Sequence, residues 1–384
     1  MDFSFDPDHQ MLQSTLRDFA TRELAPHYAD RDRDEDLPRD VVKRLGALGL
    51  LAPMVEERFG GQNLGYVALG IAHEEIARGD FNAAYVLLLS ALVGAIIAAR
   101  GDDDQRAAML PAICAGEVVP ALAVTEPGAG SDAAHIKLSA RRDGDSYVLN
   151  GEKSSISFAS WADAALVMAR TGADTDGARG ISAFYVDLKS NGVSRTRFRD
   201  LGSRAVGRGQ LFFDSVRVPA TARIGAEGDG FIQVMQGFDF SRALIGLMCI
   251  GAAEQSVEET CRYVNEREAF GASLARFEGV SFPLAEAAVE LRAARLLCYE
   301  ALWLRDRGEP HGWISAGCKW LAPELAARVI HQCILLHGHF GYSLDLPHQQ
   351  RLRDVIGLEI GDGTAQIMKL LVAREIIGPA ARPY

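Results

Sequence analysis

The period of the hydrophobic pattern changes twice along this chain, and the two changes limit what it can fold into. From residue 5 to about residue 118, apolar residues recur at helical spacing. Residues 8–23 place Met11, Leu12, Leu16, Phe19 and Ala20 on one face. A second helix starts at Leu37-Pro38-Arg39-Asp40 and runs through Val41, Val42, Leu45 and Leu48. Gly60-Gly61 marks a loop, and helices follow over 66–78, 83–100 and 103–115. Asp103 and Asp104 suit the N-terminus of the last one. Near Gly116 the period shortens. Residues 118–124, 136–141, 147–149, 164–169, 181–188, 193–198 and 210–218 read as strands, with Asp143-Gly144-Asp145 as a hairpin turn. After Gly225-Ala226-Glu227-Gly228-Asp229-Gly230 the helical period returns over 231–265, 280–306, 313–336 and 363–377. Neighbouring helices of this length pack as a bundle. The expected fold class is multidomain α+β: an N-terminal helical domain over 1–118, a small central β-barrel or sandwich domain over 119–228, and a C-terminal helical bundle over 229–384.

Charge excludes one class of function. Forty Lys and Arg stand against 51 Asp and Glu in 384 residues, a formal net charge of −11. A nucleic-acid binder would show a basic face. An anionic ligand must therefore be met by local positive groups. The 48% apolar content is ordinary for a packed globular protein. The six cysteines, at 114, 249, 261, 298, 318 and 333, form no C-x-x-C pair, so buried reduced thiols are expected. Met1-Asp2-Phe3-Ser4-Phe5-Asp6 lacks the basic and apolar regions of a signal peptide, and a cytoplasmic location is expected. Residues 83–99 carry no charge, but Asp80 and Arg100 bound them closely and Ser90 and Gly94 interrupt them. A buried core helix, not a membrane span, is expected there.

The entry to the β block, residues 123–132, reads Ala-Val-Thr-Glu-Pro-Gly-Ala-Gly-Ser-Asp. Pro127 and two glycines keep this backbone open, and Thr125, Ser131 and the peptide groups offer neutral hydrogen bonds. Such a loop suits a flat polar heterocycle with a phosphate-bearing tail. The whole string resembles the signature of the acyl-CoA dehydrogenase family, most like its alicyclic members of the cyclohexanecarboxyl-CoA dehydrogenase kind. Further matches follow in the family's order: residues 150–157 (the second flavin segment), Leu201-Gly202-Ser203-Arg204, residues 213–219, Phe238-Asp239-Phe240-Ser241-Arg242, Arg267-Glu268-Ala269-Phe270-Gly271, residues 337–342 and residues 361–367. The resemblance covers essentially the whole chain.

It implies a fold ending in a four-helix bundle, a homotetramer, non-covalent FAD, an acyl-CoA substrate, and electron-transfer flavoprotein as the acceptor. FAD would be held by Val124, Thr125, Gly130, Ser131, Ser155, Ser157, Arg267, Phe270, Thr364 and Gln366. Acyl-CoA would be held by Ser131, Asp239, Arg242, Ser90 and Gly361. The small residues Ser90, Ala91 and Gly94 would leave room for a bulky acyl group. No metal is expected: His337 and His339 have no third ligand nearby and read as loop residues.

The implied reaction removes a proton from Cα and a hydride from Cβ of the thioester. The enolate oxygen then needs aimed donors in a dry pocket, which the resemblance places at the backbone N–H of residue 362 and at a flavin ribityl hydroxyl. The family usually has Glu before its Gly-Thr pair, whereas Asp362 stands here, shorter by one carbon, about 1.5 Å. Either the substrate sits closer or the base lies elsewhere. The alternative family position is Ser241, which has no carboxylate. Asp362 also has the spacing of a helix N-cap. Ser155 replaces an aromatic residue that often packs on the flavin, and Leu335 a glutamine that often reaches a neighbouring subunit's flavin. Asp239 and Arg242 read as a CoA contact or as a surface i, i+3 ion pair. A shorter base makes room for a ring, so a cyclic acyl-CoA is expected. The alternatives are a short branched acyl-CoA or a flavin oxidase or monooxygenase on the same fold, nitroalkane oxidase-like.

Overall fold

A computed structural model describes residues 4–381. Met1, Asp2 and Phe3 of the N-terminal stretch read above lie outside it. Six helices come first: α1 (Pro7–Phe19), α2 (Tyr28–Asp34), α3 (Arg39–Ala47), α4 (Tyr66–Gly79), α5 (Phe81–Arg100) and α6 (Asp103–Cys114). Asp80 caps α5 by accepting from the Asn82 and Ala83 N–H groups. Asp102 and Gln105 form a capping box on α6, so the cap lies one residue before the acidic pair read from sequence. The uncharged stretch in α5 is core: the helix packs on α4, α6 and α7, and Ala83 to Val93 are all buried.

The strands are β1 (Pro120–Ala123), β2 (Ser139–Asp143), β3 (Ser146–Ile156), β4 (Ala164–Arg170), β5 (Ile181–Asp187), β6 (Val193–Arg197), β7 (Gly209–Pro219) and β8 (Arg223–Ile224). They form one sheet in the order β6-β7-β3-β2-β4-β5-β8, with β1 parallel to β4. The two halves join at a single pair, Ser139 with Arg170, which makes a corner. Across the interior Tyr147 of β3 meets Phe184 of β5 with ring centroids 4.9 Å apart. β3 runs to Ile156, well past the short strand read from sequence, because its ladder with β7 continues through two irregularities. One is at Gly151, whose φ is +135° and where an added Cβ would sit 2.9 Å from Leu138 Cα, so no side chain fits. The other places Ser155 at φ 60°.

The last segment holds α7 (Gly230–Glu266), a small hairpin of β9 (Glu268–Ala269) and β10 (Ala272–Ser273), then α8 (Glu278–Asp306), α9 (Gly312–Leu336), α10 (His348–Ile360) and α11 (Ala365–Ile377). α7 packs on α8 and α9 and, across the chain, on α4 and α5. The three segments meet at Asp354 of α10. Its carboxylate accepts from Tyr28 Oη at 2.6 Å and from the Ser203 N–H at 2.5 Å, and burial pushes its pKa up to about 7. Arg353 beside it pairs with Asp32 at 2.6 Å and donates to the Leu201 carbonyl. α10 is thereby fixed against both other segments, and so is the loop that leaves its C-terminal end.

Candidate active site

That loop, Gly361-Asp362-Gly363-Thr364, joins α10 to α11. Thr364 is the N-cap of α11, accepting from the Ile367 N–H at 3.3 Å. The capping role that spacing also allowed for Asp362 is therefore taken, and the helix starts two residues later than the pattern suggested. Asp362 sits in the left-handed region at φ 54°, followed by Gly363 at φ 98°. A non-glycine residue held there stores strain of about 1–3 kcal/mol, a feature common at functional sites. Its backbone N–H donates to no carbonyl, and its carboxylate makes no hydrogen bond among the described residues. Burial raises the Asp362 pKa, while the charges of Lys319 and Arg242 pull it back. Asp362 is partly exposed, so its carboxylate keeps an open face.

Arg242 and Asp239 of α7 form the i, i+3 pair at 3.1 Å, but the arginine is 7% exposed, not a surface partner. Its Nε is buried without a hydrogen-bond partner. A buried guanidinium with an unmet donor, facing the same recess as Asp362, fits a polar ligand such as a CoA thioester. Ser241, the alternative base position, is 1% exposed and spends its hydroxyl on the Phe238 carbonyl. Tyr85 of α5 also senses the Asp362 charge, which together with burial raises its pKa. Lys319 of α9 is the group that sequence reading missed. It is 1% exposed and its Nζ donates to the Gly363 carbonyl at 2.5 Å. A single lysine in an apolar helix carries no sequence signal of its own.

The signature loop lies at the end of β1. Ser154 N–H donates to the Thr125 carbonyl at 2.8 Å, joining the loop to β3. Beneath it the fully buried Lys153 donates to the Val124 carbonyl and to Glu126 Oε1, both at 2.8 Å. Glu126 in turn accepts from the Lys137 and Leu138 N–H groups. Above this support the loop is open. A Cβ added at Gly128 or Gly130 meets nothing within 4 Å. The hydroxyls of Thr125, Ser131, Ser155 and Ser157 make no hydrogen bond among the described residues. An open backbone cradle with four unused neutral hydroxyls fits the polar ring and linker of FAD. Val124 lies buried at its edge, and Gly361 and Gln366 are exposed beside Asp362.

Two expectations sit elsewhere. Arg267 and Phe270 lie on the β9–β10 hairpin, whose contacts are with α7. Phe270 is 98% exposed, and Arg267 is exposed without an ion pair among the described residues. Ser90 is 1% exposed, and the place of a Gly94 side chain is filled by Ala52 Cβ at 2.6 Å. The room expected at Gly94 is thus occupied by core packing. The two histidines also part: His337 is buried and stacks on Tyr263 at 4.3 Å, while His339 is exposed.

The comparisons agree along the chain. The family descriptions match as follows: acyl-CoA dehydrogenase, N-terminal domain, over residues 6–117; middle domain, over 121–216; C-terminal domain, over 228–377. The short-chain specific acyl-CoA dehydrogenase, mitochondrial, of Rattus norvegicus is 37% identical over 372 residues, covering 96% of this chain and 90% of that protein. The butyryl-CoA dehydrogenase of Megasphaera elsdenii superposes with a TM-score of 0.95 at 29% identity, covering 98% of this chain and all of the other. A glutaryl-CoA dehydrogenase from Mycobacterium smegmatis in complex with FADH2 superposes with a TM-score of 0.92 at 27% identity, covering 98% and 96%.

Proposed function

The chain belongs to the acyl-CoA dehydrogenase family and is an FAD-dependent oxidoreductase of acyl-CoA thioesters, and we propose that its substrate is a compact, cyclic acyl-CoA of the cyclohexanecarboxyl-CoA kind, with Asp362 as the base. FAD, when bound, supplies the acceptor for the Cβ hydride. Asp362 takes the Cα proton, and its free backbone N–H donates to the thioester oxygen as negative charge develops there. Arg242 offers its unmet donor to the CoA portion, beside Asp239. Thr125, Ser131, Ser155, Ser157, Thr364 and Gln366 orient the cofactor around the recess. The observation that carries this reading is Asp362: a carboxylate in a strained turn, desolvated, free of hydrogen bonds, and one carbon shorter than the family's usual glutamate.

Its shortness supports a ring with a tertiary Cα, which needs space beside the base. The names of the relatives favour the second reading, a short straight or branched acyl-CoA. Anaerobic titration of the yellow protein with a panel of acyl-CoAs separates the two. Preferential bleaching by cyclohexanecarboxyl-CoA supports the first, and by butyryl- or isobutyryl-CoA the second. A preference for long straight chains contradicts both.

The assembly we propose is a homotetramer with electron-transfer flavoprotein as the acceptor. Val289 at 71%, Ile376 at 70% and Trp303 at 51% exposure on the C-terminal helices, with Phe270 on the β9–β10 turn, leave apolar surface that a second copy would cover. Arg267 and Phe270 would then complete a neighbouring chain's cofactor site. Light scattering showing a monomer at micromolar concentration would contradict this. Six unpaired cysteines support a cytoplasmic location.

A further inference from the structure

Two lysines are almost fully buried, and they differ in one respect. Lys153 has its own carboxylate, Glu126. Lys319 makes no ion pair among the described residues, and its one hydrogen bond goes to the Gly363 carbonyl. An ammonium buried without a paired anion is costly and is out of place in a helix such as α9, whose neighbouring buried positions include Ala316, Cys318 and Ala322. The carbonyl it holds belongs to the Gly363–Thr364 peptide, which closes the left-handed pair at 362 and 363.

We propose that Lys319 is the positioning residue of the proton-abstracting loop: its ammonium pins the Gly363 carbonyl, fixing the turn that aims the Asp362 carboxylate, and its charge keeps that carboxylate ionised. The inference rests on the reading of Asp362 as the base. The groups around it set its pH behaviour. From α7 come Arg242, which opposes the ammonium, and Cys249, a thiol whose pKa burial raises; α10 brings Glu359, and Tyr85 faces Asp362 from α5. Burial pulls Lys319 down to about 8, while Asp362 supports its charged form.

The test uses the FAD-loaded protein and three variants, Lys319→Gln, Lys319→Met and Lys319→Arg. The rate of flavin reduction by a saturating acyl-CoA is followed anaerobically against pH. Removing a cation beside a buried carboxylate makes the carboxylate harder to ionise, so the acid limb should move to higher pH by about 1 unit or more in Gln and Met. Below the limb that is a loss of about tenfold or more. Gln keeps a donor but is one atom shorter than lysine, and Met keeps the length without a donor, so both should also lower the plateau rate. Arg should restore the limb. A readout without turnover accompanies this. Between pH 8 and about 10.5 the unfolded lysine binds a proton that the folded one has released, so the wild-type protein gains stability over that window and the Gln and Met variants lack the gain. If Met does not fold, Gln carries both measurements. An acid limb in Gln that coincides with wild type overturns the proposal. Asp362→Asn keeps the two claims apart. If it reduces flavin normally, the base reading has failed; if it is inactive while the Lys319→Gln limb stays put, only the role of Lys319 has.

Discussion

Lys153→Met removes the ammonium that supports the signature loop while nearly keeping its volume. In the native protein this side chain is 0% exposed and Glu126 8% exposed, and the ammonium reaches both Glu126 Oε1 and the Val124 carbonyl at 2.8 Å. Removing one partner of a buried pair leaves an uncompensated charge and costs about 3–5 kcal/mol. Glu126 keeps two backbone donors, Lys137 N–H at 2.6 Å and Leu138 N–H at 2.9 Å, which places the loss near the lower end, about 3 kcal/mol. The damage falls on the loop bearing Thr125 and Ser131, so weaker FAD retention should accompany it. The assay is a urea titration by far-UV circular dichroism, together with FAD affinity by fluorescence. Adding Glu126→Gln should recover part of the loss, because the stranded charge is then gone. Wild-type midpoint and FAD affinity in the single variant would refute the claim that this pair supports the loop.

His73 is fully buried with Nε2 unpartnered, and burial holds its pKa down to about 4. Between pH 6.5 and 4 the unfolded chain binds a proton that the folded chain does not, so stability drains away as pH falls through that window, by about 3 kcal/mol in all. Urea midpoints at pH 7 and pH 4.5 should lie closer together in His73→Met than in wild type; equal spacing would count against this. Asp362→Glu lengthens the base into space that a ring would occupy. It should slow flavin reduction by cyclohexanecarboxyl-CoA more than by butyryl-CoA, and an equal effect on both would remove the steric argument for a cyclic substrate.

How much the sequence disclosed depends on what each element buries. α4, α6 and α7 were legible to within a residue or two because apolar side chains mark their buried faces. α10 was not, because most of its buried face is polar: His348, Gln350, Arg351 and Asp354 are buried beside only two apolar residues, Val355 and Leu358, and Arg351 is paired with Glu259 at 2.6 Å. α2 was hidden for the same reason, with Arg31 and Asp32 inside. β3 was cut short since Gly151 and the left-handed Ser155 interrupt the alternation without ending the ladder. At the site, the hydroxyl-rich loop and Asp362 were legible from residue types at close spacing. Lys319, 43 positions before Asp362, was not, because only the packing of α9 against the 361–364 loop makes it a neighbour. The room read at Gly94 failed because spacing along one helix does not report the residue, Ala52, that packs against it.

The central claim is that Asp362 takes the α-proton, and Asp362→Asn tests it most directly. The amide keeps the shape of the recess and the backbone N–H of residue 362, so FAD and acyl-CoA should bind as before. Rapid anaerobic mixing of the FAD-loaded variant with the best acyl-CoA substrate should show flavin reduction slowed by about 10²–10⁴, the contribution of a positioned general base. Reduction at the wild-type rate, with substrate binding unchanged, would contradict the account.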